Sequence, residues 1–223
     1  DDLQNKNLNA YFVYSKNLGK LKLDATAGYN YQLFQKEKYQ SGALTQPVET
    51  RNEDVITDPD INLQSYFGRL NLGWDSKYLL TLNYRRDGTS RFSEENRWGN
   101  FMGGAFAWNI AEESFLKDNA TISTLKLRLG YGVTGQQEFG SGAERNFYLQ
   151  QYTTGSGSSQ YIFGAVPTPI AISNPYNPVL KWEETTTYNV GLDYGLFNDR
   201  ITGALDLFYK QSDDLIVNAA FPD

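Results

Sequence analysis

Residues 185–216, TTTYNVGLDYGLFNDRITGALDLFYKQSDDLI, state one architecture twice with a turn between. Tyr188, Val190, Leu192, Tyr194 and Leu196 alternate with Asn189, Gly191, Asp193 and Gly195. Successive strand side chains point to opposite faces, so one face is apolar and aromatic and the other polar or small. After Asn198-Asp199-Arg200 the pattern resumes, with Ile201, Gly203, Leu205, Leu207 and Tyr209 set against Thr202, Ala204, Asp206, Phe208 and Lys210. The spacing predicts two long antiparallel strands joined by a tight turn. Each arm is about a dozen residues, longer than the usual globular strand and close to what a tilted strand needs to cross hydrocarbon. A soluble sandwich could use the same alternation, but would normally interrupt strands of this length.

Outward from this hairpin the chain repeats the pattern. Leu8 to Tyr14 is a weak strand that turns at 16–20. Leu21, Leu23, Ala25, Ala27, Tyr29, Tyr31 and Leu33 then share one face, opposite Lys22, Asp24, Thr26, Gly28, Asn30 and Gln32. A polar stretch from 37 to 60 predicts a long loop. Tyr66 to Trp74 and Tyr78 to Arg85 form a second hairpin around Asp75-Ser76-Lys77, and Asp87-Gly88 reads as turn chemistry within the next polar loop. Phe101 to Trp108 is Gly-rich, and AEESFLKD after it has room for one helical turn. Leu125, Leu127, Leu129, Tyr131 and Val133 oppose Lys126, Arg128, Gly130, Gly132 and Thr134, followed by a loop over 138–181.

Eight strands therefore alternate between compact turns and long loops, the pattern of an antiparallel transmembrane β-barrel wall with short periplasmic turns and long extracellular loops. Aromatics near strand ends, such as Trp74, Tyr78, Trp108 and Tyr194, fit interfacial girdles. Lys126 and Arg128 cannot face lipid or a dry core cheaply, so that face must be wet or paired. If the short turns are periplasmic, the first strand starts and the last ends on the extracellular side. A complete single-chain barrel has both termini in the periplasm, so 1–223 is expected to be an internal part of one larger barrel domain.

Composition agrees. Aromatics make up 15% of 223 residues and there are 20 glycines, both favouring β structure. Mean hydropathy is −0.54 and no run approaches a spanning helix. The chain has neither cysteine nor histidine, which removes thiolate sites and the usual general base and zinc ligand; no enzymatic role, cofactor or metal is expected. A net charge of −6 with no basic run argues against nucleic acid. Asp1-Asp2-Leu3-Gln4 does not open a signal peptide, so the chain is expected to be mature or a piece of something longer.

The stretches YLLTLNYRRDGTSRFSEENRWGNF (78–101), LKLRLGYGVTGQQ (125–137) and LKWEETTTYNVGLDYGLFNDRITGALDLFYKQSDDLI (180–216) closely resemble the barrel of SusC/RagA-type TonB-dependent transporters. The resemblance implies a 22-stranded outer-membrane barrel of Gram-negative bacteria, closed by an N-terminal plug and capped by a SusD-like surface lipoprotein. It further implies import of oligosaccharides or peptides with energy passed by TonB. Signal peptide, TonB box, plug and the remaining strands lie outside this chain.

Within that frame the lumen face offers Lys22, Asp24, Arg69, Asn71, Asn83, Arg85, Lys126, Arg128, Asn189, Asp193 and Asp206. Most groups of this kind pair across strands or meet the plug. Arg85, Arg128 and Asp193 are the substrate candidates among them. The loop aromatics Tyr148, Tyr152, Tyr161 and Phe163 could cover sugar rings, or else pack the loop onto itself or the lid. The rim arginines around Arg85 are expected to pair with Glu94 and Glu95 or with lipopolysaccharide phosphates. Glu112-Glu113 and Asp213-Asp214 read as solvated carboxylates. A structural or docking barrel wall of an envelope or secretion assembly is the competing reading, and a barrel-embedded hydrolase a weaker third.

Overall fold

A computed structural model describes residues 2–41, 53–57, 60–117, 119–138, 147–150, 152–154, 160–163, 166–169, 171–173 and 176–217. The wall consists of β1 (Asp2–Leu18), β2 (Leu21–Ser41), β4 (Ile61–Trp74), β5 (Tyr78–Thr89), β6 (Trp98–Asn109), β7 (Ile122–Gln136), β12 (Glu183–Leu196) and β13 (Ile201–Asp213). They pair in that order, each antiparallel to its chain neighbour, while β3 (Glu53–Thr57) adds to the upper part of β2. Two small ladders lie off this path: β9 (Gln160–Phe163) with β10 (Val166–Pro169), and β8 (Tyr152–Thr154) with β11 (Ala171–Ser173).

Register fixes which side chains share a face. Tyr78 faces Trp74 and Trp108, Leu80 faces Leu72 and Phe106, and Leu82 faces Leu70 and Gly104. Phe106 in turn faces Leu129, Leu129 faces Val190, and Val190 faces Leu207. A continuous apolar band thus crosses the sheet from Phe12 on β1 to Leu207 on β13, and most of it is exposed on the isolated chain. A one-residue slip anywhere would put charges into this band, so burial in lipid holds the register. Every wall strand has at least 12 residues, more than the roughly nine to eleven a tilted strand needs to span hydrocarbon.

Aromatic rows border the band. At the loop end, Tyr29 and Tyr66 lie 5.2 Å apart, Tyr66 and Trp98 6.2 Å, and Tyr131 and Tyr188 5.2 Å. At the turn end, Tyr78 sits 6.4 Å from Phe106 and 6.3 Å from Trp108. The turns are tight and laterally stitched. Gly19, Asp75, Ser76, Asn198 and Asp199 take positive φ, which short polar residues and glycine tolerate. Asp75 donates its backbone N–H to Lys20 O at 2.8 Å, and Phe197 does so to Thr121 O at 2.8 Å.

The strands run further than the alternation indicates. β2 continues to Ser41 and pairs with β3, so part of the expected 37–60 loop is ladder, and the 138–181 loop contains four short strands. Above the membrane a strand needs only its ladder, not an apolar face, so the hydropathy signal stops before the strand does. Asp87-Gly88 is strand rather than turn: Asp87 pairs with Ser65 and Gly99, and Gly88 with Gln64 and Trp98. The expected helical turn after β6 is a single 3-10 turn at Ile110–Glu112.

The buried apolar core lies at the loop end. Phe92 (0% exposed), Phe101 (7%) and Trp182 (6%) pack edge-on, Trp182 5.7 Å from Phe92 and 5.3 Å from Phe101. Trp182 Nε1 donates to Arg97 O at 2.9 Å. This cluster ties the 90–97 turn to the start of β12 and sets the rim of the wall.

Candidate functional site

The face opposite the apolar band carries the charged and amide side chains, with Phe67, Leu79 and Phe101 among them. Rows read across the ladder include Asp24, Asn71 and Thr81; Thr26, Arg69 and Asn83; and Asn30, Ser65 and Asp87. Lys126 and Asp193 are register partners, as are Arg128 with Gly191 and Gly191 with Asp206. All eleven lumen candidates named from the sequence fall on this one face. Its charges are largely spent on each other.

Arg128 and Asp193 are brought together. Arg128 Nε donates to Asp193 Oδ2 at 2.9 Å and Nη2 to Oδ1 at 2.8 Å, a two-pronged fit of guanidinium to carboxylate. The same Nη2 reaches Asp206 Oδ2 at 3.2 Å on the next strand. Gly191 makes room for this: a Cβ there would stand 2.7 Å from Arg128 Cζ and 2.6 Å from Asp206 Oδ1. The cluster welds β7, β12 and β13 on their wet side.

Arg85 belongs to a separate group nearer the loops. Its Nε donates to Asp87 Oδ1 at 2.7 Å and Oδ2 at 2.9 Å, and its Nη2 to the buried Ser65 Oγ at 2.8 Å. Arg85 pairs across β6 with Phe101 and Arg128 with Ala107, six residues along that strand, so the two groups are about 20 Å apart. Arg85 takes Asp87 rather than Glu94 or Glu95, because Asp87 sits two residues along on the same strand face, and Arg86 lies over the Trp98 ring at 5.0 Å.

The loop aromatics divide. Tyr152 on β8 and Tyr161 on β9 are exposed, and Tyr148 in the 147–150 turn is half-buried. Phe163 ends β9 opposite Val166; its side chain lies outside the described residues. Gln150 Nε2 donates to Ser173 Oγ at 3.3 Å, linking the 147–150 turn to β11. Arg128 and Asp193 thus meet directly, while Arg85 has partners of its own.

One of the carboxylates read as solvated is not, while Asp214 stays exposed. Glu113 is not solvated: it accepts from Tyr78 Oη at 2.6 Å, Lys77 Nζ at 3.0 Å and Trp108 Nε1 at 3.1 Å. Those hydrogen bonds, the Tyr78 hydroxyl first, hold its carboxyl down at about 2. Asp214 pairs with Lys181 at 2.7 Å, which raises the Lys181 ammonium above its ordinary value. The Lys77 and Tyr78 partners of Glu113 lie on another hairpin, so composition near a turn could not show them.

A further cluster was missed. Asn30, 5% exposed, donates Nδ2 to Asn7 Oδ1 at 2.8 Å, Asn9 Oδ1 at 2.9 Å and Leu8 O at 3.3 Å. The signal was present as Asn5, Asn7 and Asn9 at period two, just before the point where apolar alternation begins. No group of three or more metal-ligating side chains occurs among the described residues.

An open antiparallel wall with an apolar band of membrane height, aromatic borders, a polar opposite face, and compact turns at one end only defines an outer-membrane β-barrel protein. The family of TonB dependent receptor-like β-barrels matches residues 1–223. The chain belongs to that family and to its SusC/RagA branch, and its place is the outer membrane. It is 41% identical over 98% of its length to the TonB-dependent receptor SusC of Bacteroides thetaiotaomicron, and 35% identical over 96% to TonB-dependent receptor P3 of Formosa agariphila. It spans about a fifth of each, 22% of their length. Among solved structures, the RagAB peptide importer in its closed-closed state superposes with a TM-score of 0.79 at 23% identity, covering 98% of this chain and 24% of that one. This is a family of transporters and receptors rather than of enzymes.

Proposed function

We propose that this chain is part of the barrel wall of a TonB-dependent outer-membrane importer of glycans or peptides, working beneath a SusD-like surface lipoprotein. In this reading residues 1–223 are one part of a 22-stranded barrel whose plug and TonB box lie elsewhere in the protein. The observation that carries it is the inner face that gathers the wall's charged side chains, which are paired internally at Arg128 with Asp193 and Asp206 and at Arg85 with Asp87. Such a face can line a hydrated passage without holding a charged solute tightly. Membership of the SusC/RagA branch suggests these cargo classes, and a relative of the same fold is a peptide importer.

The exposed Tyr152 and Tyr161, with Tyr148 and Phe163, are the loop residues proposed to meet cargo at the mouth. Arg85, Arg128 and Asp193 shape the wall's charge. Lipid and lipopolysaccharide contact the opposite face. A docking barrel with no cargo is the competing reading.

Deleting the gene for the full receptor, and separately the gene for TonB, tests this. Each deletion should abolish accumulation of the same labelled oligosaccharide or peptide by intact cells, and plasmid-borne receptor should restore it. Unchanged accumulation of every cargo tried in the receptor deletion would favour the docking reading.

A further inference from the structure

On the inner face, at the level of the loop-end aromatic row, β1, β2 and β4 bring three carboxamides and two rings together. Asn9 and Asn30 are register partners, with Asn7 two residues along β1. Asn30 lies beneath them with its Nδ2 bound to Asn7 Oδ1, Asn9 Oδ1 and Leu8 O. The Leu8 carbonyl fixes which end of the Asn30 amide is which, because only a nitrogen can approach it. Asn30 Oδ1 is buried and has no hydrogen-bond partner among the described residues. Asn7 and Asn9 are exposed; with their oxygens turned toward Asn30, their Nδ2 groups are left as donors.

One row nearer the turns, Tyr11 and Phe67 flank Gly28, their register partner. The fit is close: a Cβ on Gly28 would stand 2.5 Å from Phe67 Cζ and 2.7 Å from Tyr11 Cβ. Glycine is what lets the Phe67 ring come up against the wall over residue 28, beside the amides. On the other side the row continues to Ser65 and Asp87, both engaged by Arg85. The amides and rings themselves carry no charge, and the patch supplies amide donors above a buried acceptor that has no partner among the described residues.

We infer that Asn7, Asn9 and Asn30, with Phe67 and Tyr11, form a subsite on the inner wall for a neutral, hydroxyl-rich ligand, a carbohydrate ring. A hydroxyl both donates and accepts, and a carboxamide offers both functions, so the two match without any charge. The ring of Phe67 meets the C–H face of a sugar while the amides take its hydroxyl edge. Arg85, the register partner of Phe67, is already paired with Asp87, so a peptide's carboxylate would have to reach past the patch to Arg69. The inference deepens the importer reading and rests on it for its place along a transport path.

The test uses the full receptor, purified in detergent and also expressed in cells, with linear glucan, fructan and β-linked glucan heptasaccharides and a neutral heptapeptide as probes. Affinity is measured by titration calorimetry and uptake with the labelled probes. The variants are Asn7→Ala with Asn9→Ala, and Phe67→Ala; heat-modified electrophoretic mobility checks that each is folded. The subsite predicts that at least one glycan binds and that each variant weakens it about tenfold, with neither changing peptide affinity. Glycan affinity unchanged in both folded variants overturns the subsite and leaves the importer standing. Binding of the peptide alone, or variants that lose only thermal stability, overturns it as well. Glycan binding that depends on these residues without any uptake keeps the subsite and sinks the importer reading.

Discussion

Glu113 shows how much one side chain can organise. Set just past β6, it receives Trp108 from that strand and Tyr78 and Lys77 from the neighbouring hairpin, and so pins the turn after β6 to the turn-end aromatic row. Its carboxyl, held at about 2 against an ordinary 4.5, gives the sign of a pH effect. A depressed carboxyl contributes stability that is complete above the unfolded value and is lost as pH falls through the folded one. In vesicle-embedded receptor, tryptophan emission should therefore stay constant from neutral pH to about 4.5 and shift only on further acidification toward 2. Glu113→Gln should remove that acid transition and lower the unfolding temperature at neutral pH. A transition in the wild type near neutrality that Glu113→Gln leaves in place would show that the latch is not what titrates.

At the scale of the strand, neighbours one residue apart obey opposite rules. Leu82 lies in the apolar band between Leu70 and Gly104, whereas Asn83 faces the polar side between Arg69 and Gly103. Leu82→Arg should cost the folded receptor about 2–4 kcal/mol in a bilayer, and Asn83→Arg little, as measured by urea titration in vesicles. Equal costs would mean that the lipid face has been assigned wrongly. The loop end rests on a small core instead of lipid. Phe92 is fully buried against Trp182, so Phe92→Ala should lower stability by about 3 kcal/mol and expose Arg91 and Arg97 to trypsin. Rim cleavage no faster than in wild type would show that the 90–97 turn is held by its hydrogen bonds alone.

Across the whole molecule the sheet is open. Among the described residues β1 pairs only with β2, and β13 only with β12, leaving two edges that carry Phe12, Leu207 and Phe208 exposed. Unpaired long edges with apolar faces template association. Residues 1–223 expressed alone should therefore elute from detergent as mixed oligomers with no heat-modifiable band, while the full receptor runs as one species. A monodisperse, heat-modifiable monomer would mean that these eight strands close on themselves, giving an interior barely wide enough for side chains and none for cargo.

From the sequence alone came the number of wall strands, their order, their two faces and the asymmetry of turns and loops. The reason is physical: lipid on one side and water on the other impose a period of two along each strand, and a period is legible in one dimension. The lumen candidates were legible for the same reason, since parity alone puts Arg85, Arg128 and Asp193 on one face. Which of these groups meet was decided only in three dimensions. Arg128 finds Asp193 65 residues away, Glu113 finds Lys77 36 residues back, and Asn30 gathers Asn7 and Asn9 from the preceding strand. Cross-strand partners depend on register and on where a glycine such as Gly191 or Gly28 opens space, and neither leaves a trace in local periodicity.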